Sequence, residues 1–288
     1  MTPDSYPAPP DGLPGPAVDS HCHLDMSLHG ADHPALAVEL AQSLAAAVGV
    51  TRIVQVGCDR AGAVWAAETA ERHDGIVAAV GLHPNEAPRL AASGDLDTGL
   101  AEIEDLLRRE RVRGVGETGL DYYRTGPEGR AVQQESFRAH IRLARQYDKA
   151  LVIHDRDAHD DVIDVLEDEG PPRRVVFHCF SGDAAMARRC VANGWVLSFA
   201  GVLTFRNAPG LREAAAAVGP GSVLVETDAP YLTPVPHRGR PNASYLVPLT
   251  VAELARIWGM TDLEVCTATT EAALDVFGAW DPFVPPKS

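Results

Sequence analysis

Along most of the chain, short apolar runs alternate with longer amphipathic ones. The short runs are nearly continuous in Val, Ile, Leu and Ala, as expected of strands buried on both faces. Eight read as strands: Ala17–His21, Arg52–Gly57, Val77–Leu82, Arg113–Glu117, Leu151–His154, Val175–His178, Trp195–Phe199 and Val223–Glu226. Helical periodicity fills the intervals at Pro34–Ala47, Ala61–Arg72, Asp97–Arg109, Ala131–Tyr147, Ala158–Glu169, Asp183–Ala192 and Pro209–Val218. Two more helical runs follow, Tyr245–Trp258 and Thr261–Phe277. Strands alternating with helices imply a parallel sheet. Eight such units favour an α/β fold closed into a single (β/α)8 TIM barrel. The competing open, doubly wound sheet carries a Gly-rich phosphate turn after its first strand when it binds dinucleotides, and none follows Ala17–His21.

The ends break the pattern. Residues 1–16, MTPDSYPAPPDGLPGP, are rich in Pro and Gly and read as a flexible lead, and residues 281–288 read as a tail of the same kind. One domain is left over 17–280, and 288 residues suit one barrel. The lead has neither the basic start nor the apolar run of a signal peptide, and no segment approaches a membrane span. Five cysteines, an odd number without a CxxC, suit a reduced chain, so the expected compartment is the cytoplasm. The net charge of −15 and pI near 5.1 argue against a broad basic face for nucleic acid. They do not exclude a nuclease, because bound cations reverse the field locally. No apolar helix face marks an obligatory protein partner.

Candidate chemistry gathers at the strand ends. Seven of the eight strands run into polar or reactive residues, among them His21-Cys22-His23, Cys58-Asp59, His83, Glu117, His154-Asp155-Arg156, His178-Cys179 and Glu226-Thr227-Asp228. In a TIM barrel the C-terminal strand ends form one mouth, where active sites sit. A single strand-end His is more often a hydrogen-bonded structural residue. Four imidazoles (His21, His23, His154, His178) and two carboxylates (Glu117, Asp228) in such places need a common partner, since unpaired buried polar groups are costly. A metal centre at the mouth supplies one.

In His21-x-His23 both imidazoles lie on one face of the strand, while Cys22 faces the helix layer as a small core residue. A hydrogen-bonded core pair or a lone zinc site without chemistry remains open for this pair by itself. Six candidate ligands exceed the three or four of a mononuclear catalytic zinc, which points to two divalent ions with Glu117 as the bridge. A carbamylated-lysine bridge has no candidate, because the lysines are Lys149, ahead of the fifth strand, and Lys287 in the tail. The His-rich set suits zinc, manganese, nickel or cobalt, whereas magnesium prefers oxygen.

At these residues the chain resembles the TatD family of metal-dependent deoxyribonucleases, a branch of the amidohydrolase-like TIM barrels. VDSHCHLD, GLHP, GETGLDYY, VIHDRDA, FHCFSG and LVETDAPYL occur in family order between Val18 and Phe277. The resemblance implies that His21, His23 and Asp228 hold one ion, that His154 and His178 hold the other, and that Glu117 bridges them. It also implies that His83 touches substrate, that Arg206 in LTFRNAP and Arg238 in HRGR hold phosphate, and that magnesium supports activity in some members. The implied reaction is phosphodiester hydrolysis of DNA, at single strands or chain ends, with Asp228 and Glu117 as catalytic carboxylates. One departure stands out: Asn242 is followed by Ala243 and Ser244, where the family commonly reads Asn-Glu-Pro. Related barrels cleave aminoacyl esters, lactones and amides, so a different ester or amide is the alternative reading. A non-catalytic metal-binding barrel is a third, opposed by the complete ligand set.

Overall fold

Each apolar run becomes a strand: β1 Ala17–Cys22, β2 Val50–Gly57, β3 Ile76–Val80, β4 Val112–Asp121, β5 Ala150–Arg156, β6 Val175–Phe177, β7 Val196–Phe199 and β8 Val223–Val225. The structure is a computed structural model and describes residues 5–28 and 34–285. The sheet order is β1 to β8 in sequence, with parallel pairing such as Leu151↔Val175 and Leu197↔Val223. The helices are α1 Val38–Ala47, α2 Arg60–Arg72, α3 Glu86–Ser93, α4 Leu96–Leu106, α5 Pro127–Gln146, α6 His159–Glu169, α7 Ala184–Ala192, α8 Pro209–Ala216, α9 Val247–Trp258 and α10 Asp262–Phe277. This is the (β/α)8 arrangement that the alternation predicts. Among the described residues no helix is long and apolar enough to cross a membrane.

The chain divides into two compact units. One comprises Met1–Gln55, His73–Ile76 and Gly182–Ser288, and the other Val56–Arg72 and Val77–Ser181. In the first, β1 meets the chain leaving β8 through a parallel bridge between Cys22 and Ala229. Helix α7 is capped by Asp183, which accepts from the Ala185 and Met186 amides, and α10 by a Thr261/Glu264 capping box.

The described parts of the lead and tail hydrogen-bond to the body of the chain. Leu13 N–H donates to Val48 O at 2.9 Å, and Thr270 Oγ1 to Pro16 O at 3.0 Å. Tyr6 is buried, and its hydroxyl donates to Pro34 O at 3.1 Å; the Tyr245 hydroxyl donates to Pro7 O at 2.7 Å. The Arg240 guanidinium takes the carbonyls of Ser5 and Tyr6. Proline lacks an N–H but keeps its carbonyl, and side chains from distant elements satisfy these acceptors. At the other end, Phe283 N–H donates to Thr51 O at 2.8 Å and Trp280 Nε1 to Gly75 O at 3.1 Å. Residues 1–4 of the lead and 286–288 of the tail lie outside the described residues.

The second unit holds β3 to β6 and α2 to α6. Helix α3 has no counterpart in the sequence reading: it is short, contains Pro88 and buries only Ala87. Strand β4 runs four residues beyond the expected end at Glu117, pairing Gly119 with His154 and Asp121 with Arg156. Glycine permits this close approach. Gly116 and Gly119 have φ of 139° and 131°, and a Cβ at either would collide with the carbonyl of Val152 or His154. The Gly116–Glu117 peptide between them is cis.

His140 on α5 braces the end of β3. Its Nδ1 donates to Ser136 O at 2.7 Å, and its Nε2 accepts from Leu82 N–H at 3.0 Å. Burial pushes this imidazole from its ordinary 6.5 down to about 4, so it is neutral in the folded protein. The unfolded chain takes up a proton below 6.5 that the folded chain refuses. His140 therefore contributes fully above pH 6.5, and its contribution falls as pH drops toward 4, by up to about 1.4 kcal/mol per pH unit. Urea unfolding of wild type and H140Q between pH 7 and pH 4.5 checks this. The variant should lose less stability on acidification, and parallel curves would remove His140 as the cause.

Candidate metal centre

The expected ligands form two clusters, each within one unit. In the first, β1 carries His21 and His23 on one face, both buried, with ring centroids 5.0 Å apart in a T-shaped arrangement. Asp228 follows β8, its side chain 15% exposed, with Oδ1 3.4 Å from His23 Nε2 and 4.0 Å from His21 Nε2. Two backbone hydrogen bonds set this register: Asp228 N–H donates to His21 O at 2.9 Å, and His23 N–H to Ala229 O at 2.8 Å.

Behind the pair, Asp19 accepts from Thr227 N–H at 2.9 Å and Thr227 Oγ1 at 2.7 Å, which clamps β1 to the chain after β8. Burial raises the Asp19 carboxyl to about 6 against these hydrogen bonds. Asn242 donates to Thr227 O at 2.8 Å and Tyr231 O at 2.7 Å. The loop that departs from the Asn-Glu-Pro pattern is thus held by its Asn, and Arg240 and Tyr245 on either side grip the N-terminal lead.

The second cluster centres on one oxygen. Glu117 Oε1 lies 2.6 Å from His154 Nδ1, 2.9 Å from His178 Nε2 and 3.5 Å from His83 Nε2. Glu117 Oε2 accepts from the Cys58 thiol at 3.3 Å. Burial alone would push the Glu117 carboxyl up, but His178, His83 and His154 hold it well below the usual carboxylate range. Burial takes His83 down to about 4 despite Glu117, so that ring is neutral. Its Nδ1 accepts from Asn85 N–H at 3.1 Å, which leaves the proton on Nε2, facing Glu117.

The donor set fits a divalent cation. His178 Nε2 and His154 Nδ1 are 3.4 Å apart and share one carboxylate oxygen. Neutral imidazoles so placed set lone pairs against each other unless a proton or a cation stands among them. His83, Glu117 and His154 bring N and O atoms within 4.8 Å of one another, and with the His83 proton on Nε2 the ligand atoms left among them are those of Glu117 and His154, an N/O set suited to zinc and its neighbours.

Residues 18–278 match the family model described as TatD related DNase. The chain belongs to the TatD family. A metal-dependent hydrolase TatD of Mycobacterium tuberculosis, described as uncharacterized, is 46% identical over 266 residues, covering 91% of this chain and 97% of that protein. The similarly described YabD of Bacillus subtilis is 36% identical, covering 90% and 98%. The crystal structure of YJJV, a TatD homologue from Escherichia coli, matches with a TM-score of 0.81 and 28% identity, covering 91% of this chain and 98% of that one. With these relatives the chain is a metal-dependent hydrolase on a (β/α)8 barrel.

The TatD motifs account for both clusters, but not for all that holds them. Asp121 Oδ2 lies 3.5 Å from His154 Nε2, on the far side of the ring from Glu117. Its carboxylate accepts from Arg124 N–H at 2.9 Å and Asn85 Nδ2 at 3.0 Å, and Gln133 Oε1 accepts from its backbone N–H at 3.0 Å. Asn85, Asp121 and Gln133 thus form a brace that the sequence reading left out or unassigned, as it did Cys58. Their placement at or just beyond strand ends was visible in sequence; their mutual contacts were not. The two expected phosphate holders stand in loops of the first unit. Arg238 lies with its guanidinium 4.0 Å from the Phe205 ring, and Arg206, the next residue along, is exposed.

Proposed function

We propose that this TatD-family hydrolase cleaves phosphodiester bonds of DNA, from the ends of single strands, with two divalent ions held by His21, His23, Asp228, Glu117, His154 and His178. The match to a family model described as a DNase over residues 18–278 carries the reading. It is supported by the buried imidazole–carboxylate set around Glu117, which suits a cation better than a structural ion pair.

Bound divalent ions would supply Lewis acidity toward the phosphodiester and acidify water near neutral pH. The remaining steps belong to side chains. The oxygen of a water forms a bond to phosphorus as the bond to the departing sugar oxygen breaks; Asp228 takes the water's proton, and the departing oxygen takes one from solvent at the mouth. Asp228 is suited to this because its carboxylate is partly open to solvent while its backbone is fixed to His21. His83, neutral with its proton on Nε2, donates to a phosphoryl oxygen. Arg206 and Arg238 present guanidinium forks to flanking phosphates. The net charge of −15 disfavours extensive duplex wrapping and leaves recognition to short segments at the mouth.

The test is end-labelled single-stranded DNA given to metal-stripped protein with Mg²⁺, Mn²⁺ or Zn²⁺ restored, beside D228N. Metal-dependent shortening from one labelled end, lost in D228N, is expected. If metal binds but no DNA is cut, the nuclease reading fails, and aminoacyl esters, lactones and amides become the substrates to assay.

A further inference from the structure

Two adjacent tyrosines leave β4 and are used in opposite ways. Tyr122 is engaged by the protein: its hydroxyl donates to Asp161 Oδ2 at 2.6 Å and accepts from Gln134 Nε2 at 2.9 Å, and Arg130 lies 4.1 Å from its ring. Tyr123 is 65% exposed. One face of its ring is backed by the Arg156 guanidinium, 3.9 Å from the centroid, so the other face is open to solvent. Arg156 ends β5 two residues after His154, and residues so spaced share a strand face.

Three backbone N–H donors hold the turn that presents this ring. Tyr122 N–H donates to Arg156 O at 2.9 Å, Arg124 N–H to Asp121 Oδ1 at 2.9 Å, and Thr125 N–H to Asp121 O at 3.3 Å. Positive charge lies near the turn as well. Elsewhere in this unit Arg138 and Arg142 pair with Glu169, Arg60 with Glu102, and Arg109 with Glu71. Arg124 and Arg156 make no ion pair among the described residues. An exposed aromatic face backed by the Arg156 guanidinium, with Arg124 next in sequence, at the ends of the strands that carry Glu117 and His154, suits a flat heterocycle carrying phosphate.

Resting on the nuclease reading, we propose that Tyr123, backed by Arg156, is a stacking platform for one nucleobase of the single strand, with Arg124 and Arg156 drawing its phosphates. Stacking on an aromatic side chain tolerates every base, because each has a π face. The platform therefore positions the strand without selecting its sequence.

The experiment compares metal-loaded wild type, Y123L and Y123F on two oligonucleotides, one fully base-bearing and one with abasic residues at the cleaved end. On base-bearing DNA, Y123L should raise KM about 10-fold with kcat little changed, within the usual range for loss of one base–aromatic stack, and Y123F should match wild type within about 2-fold. On abasic DNA the three proteins should be alike. If wild type cuts DNA and Y123L keeps its KM, or loses equally on both oligonucleotides, the platform is refuted while the nuclease stands. If wild type hydrolyses another ester and neither binds nor cuts DNA, the nuclease reading and the platform fall together.

Discussion

E117Q should fold, bind less divalent metal than wild type and lose at least about 10³-fold of kcat/KM, because cation stabilisation of transition-state charge is worth several kcal/mol. Three imidazole nitrogens approach Glu117 Oε1 within 3.5 Å, and the Cys58 thiol donates to the other oxygen. Glutamine keeps the volume and one acceptor for these donors but removes the charge on which a cation depends. Wild-type Glu117 is held ionised by its imidazole neighbours against burial. With a neutral amide in its place, His154 loses one of the partners that raise its basicity and can shed its proton, so the variant is spared an uncompensated buried charge. Metal content after dialysis, read beside a thermal melt and turnover, separates the effects. Unchanged metal content and turnover would remove Glu117 from the metal site. A collapsed melt would show that the carboxylate is needed by the core as well.

The strands and the ligand candidates were legible for the same physical reason. A strand buried on both faces is mostly apolar until it reaches the mouth, so an apolar run marks both an element and where its chemistry begins. His154 after Leu151-Val152-Ile153 shows this directly, whereas β1 already carries the buried Asp19 and Ser20 before His21. What escaped reading depends on partners distant in sequence. The extension of β4 was hidden in Gly-Glu-Thr-Gly, which has no strand pattern and becomes a strand only because Gly116 and Gly119 let β5 come close. The lead looked flexible because composition reports periodicity and not partners. The carbonyl groups of Tyr6 and Pro7 are satisfied by Arg240 and Tyr245, more than 230 residues away. In the loop where Ala243 and Ser244 replace Glu and Pro, sequence showed the departure, and in the structure Asn242 makes hydrogen bonds that anchor the loop.

The brace behind His154 leads to the second large effect. The ring has Nδ1 2.6 Å from Glu117 and Nε2 3.5 Å from Asp121, so one nitrogen is aimed into the cluster and the other at a carboxylate behind it. Such a carboxylate fixes the tautomer and rotation of a ligating imidazole and increases its basicity, and its loss typically costs about 10–100-fold in metal affinity or activity. D121N should therefore weaken divalent metal binding by about 10–100-fold in competition with a chelator of known affinity. Most of the turnover should return at saturating metal. The asparagine keeps an oxygen for Arg124 N–H, so the turn carrying Tyr123 should persist, and KM for DNA at saturating metal should change little. D121A, which removes that acceptor as well, should raise KM in addition. The competing account is that packing alone orients His154, whose ring lies 4.5 Å from that of His83 and 5.6 Å from that of His178, centroid to centroid. Under it, D121N would bind metal as wild type does while H83A would not, and Asp121 would be left as a turn residue whose charge is immaterial to the metal.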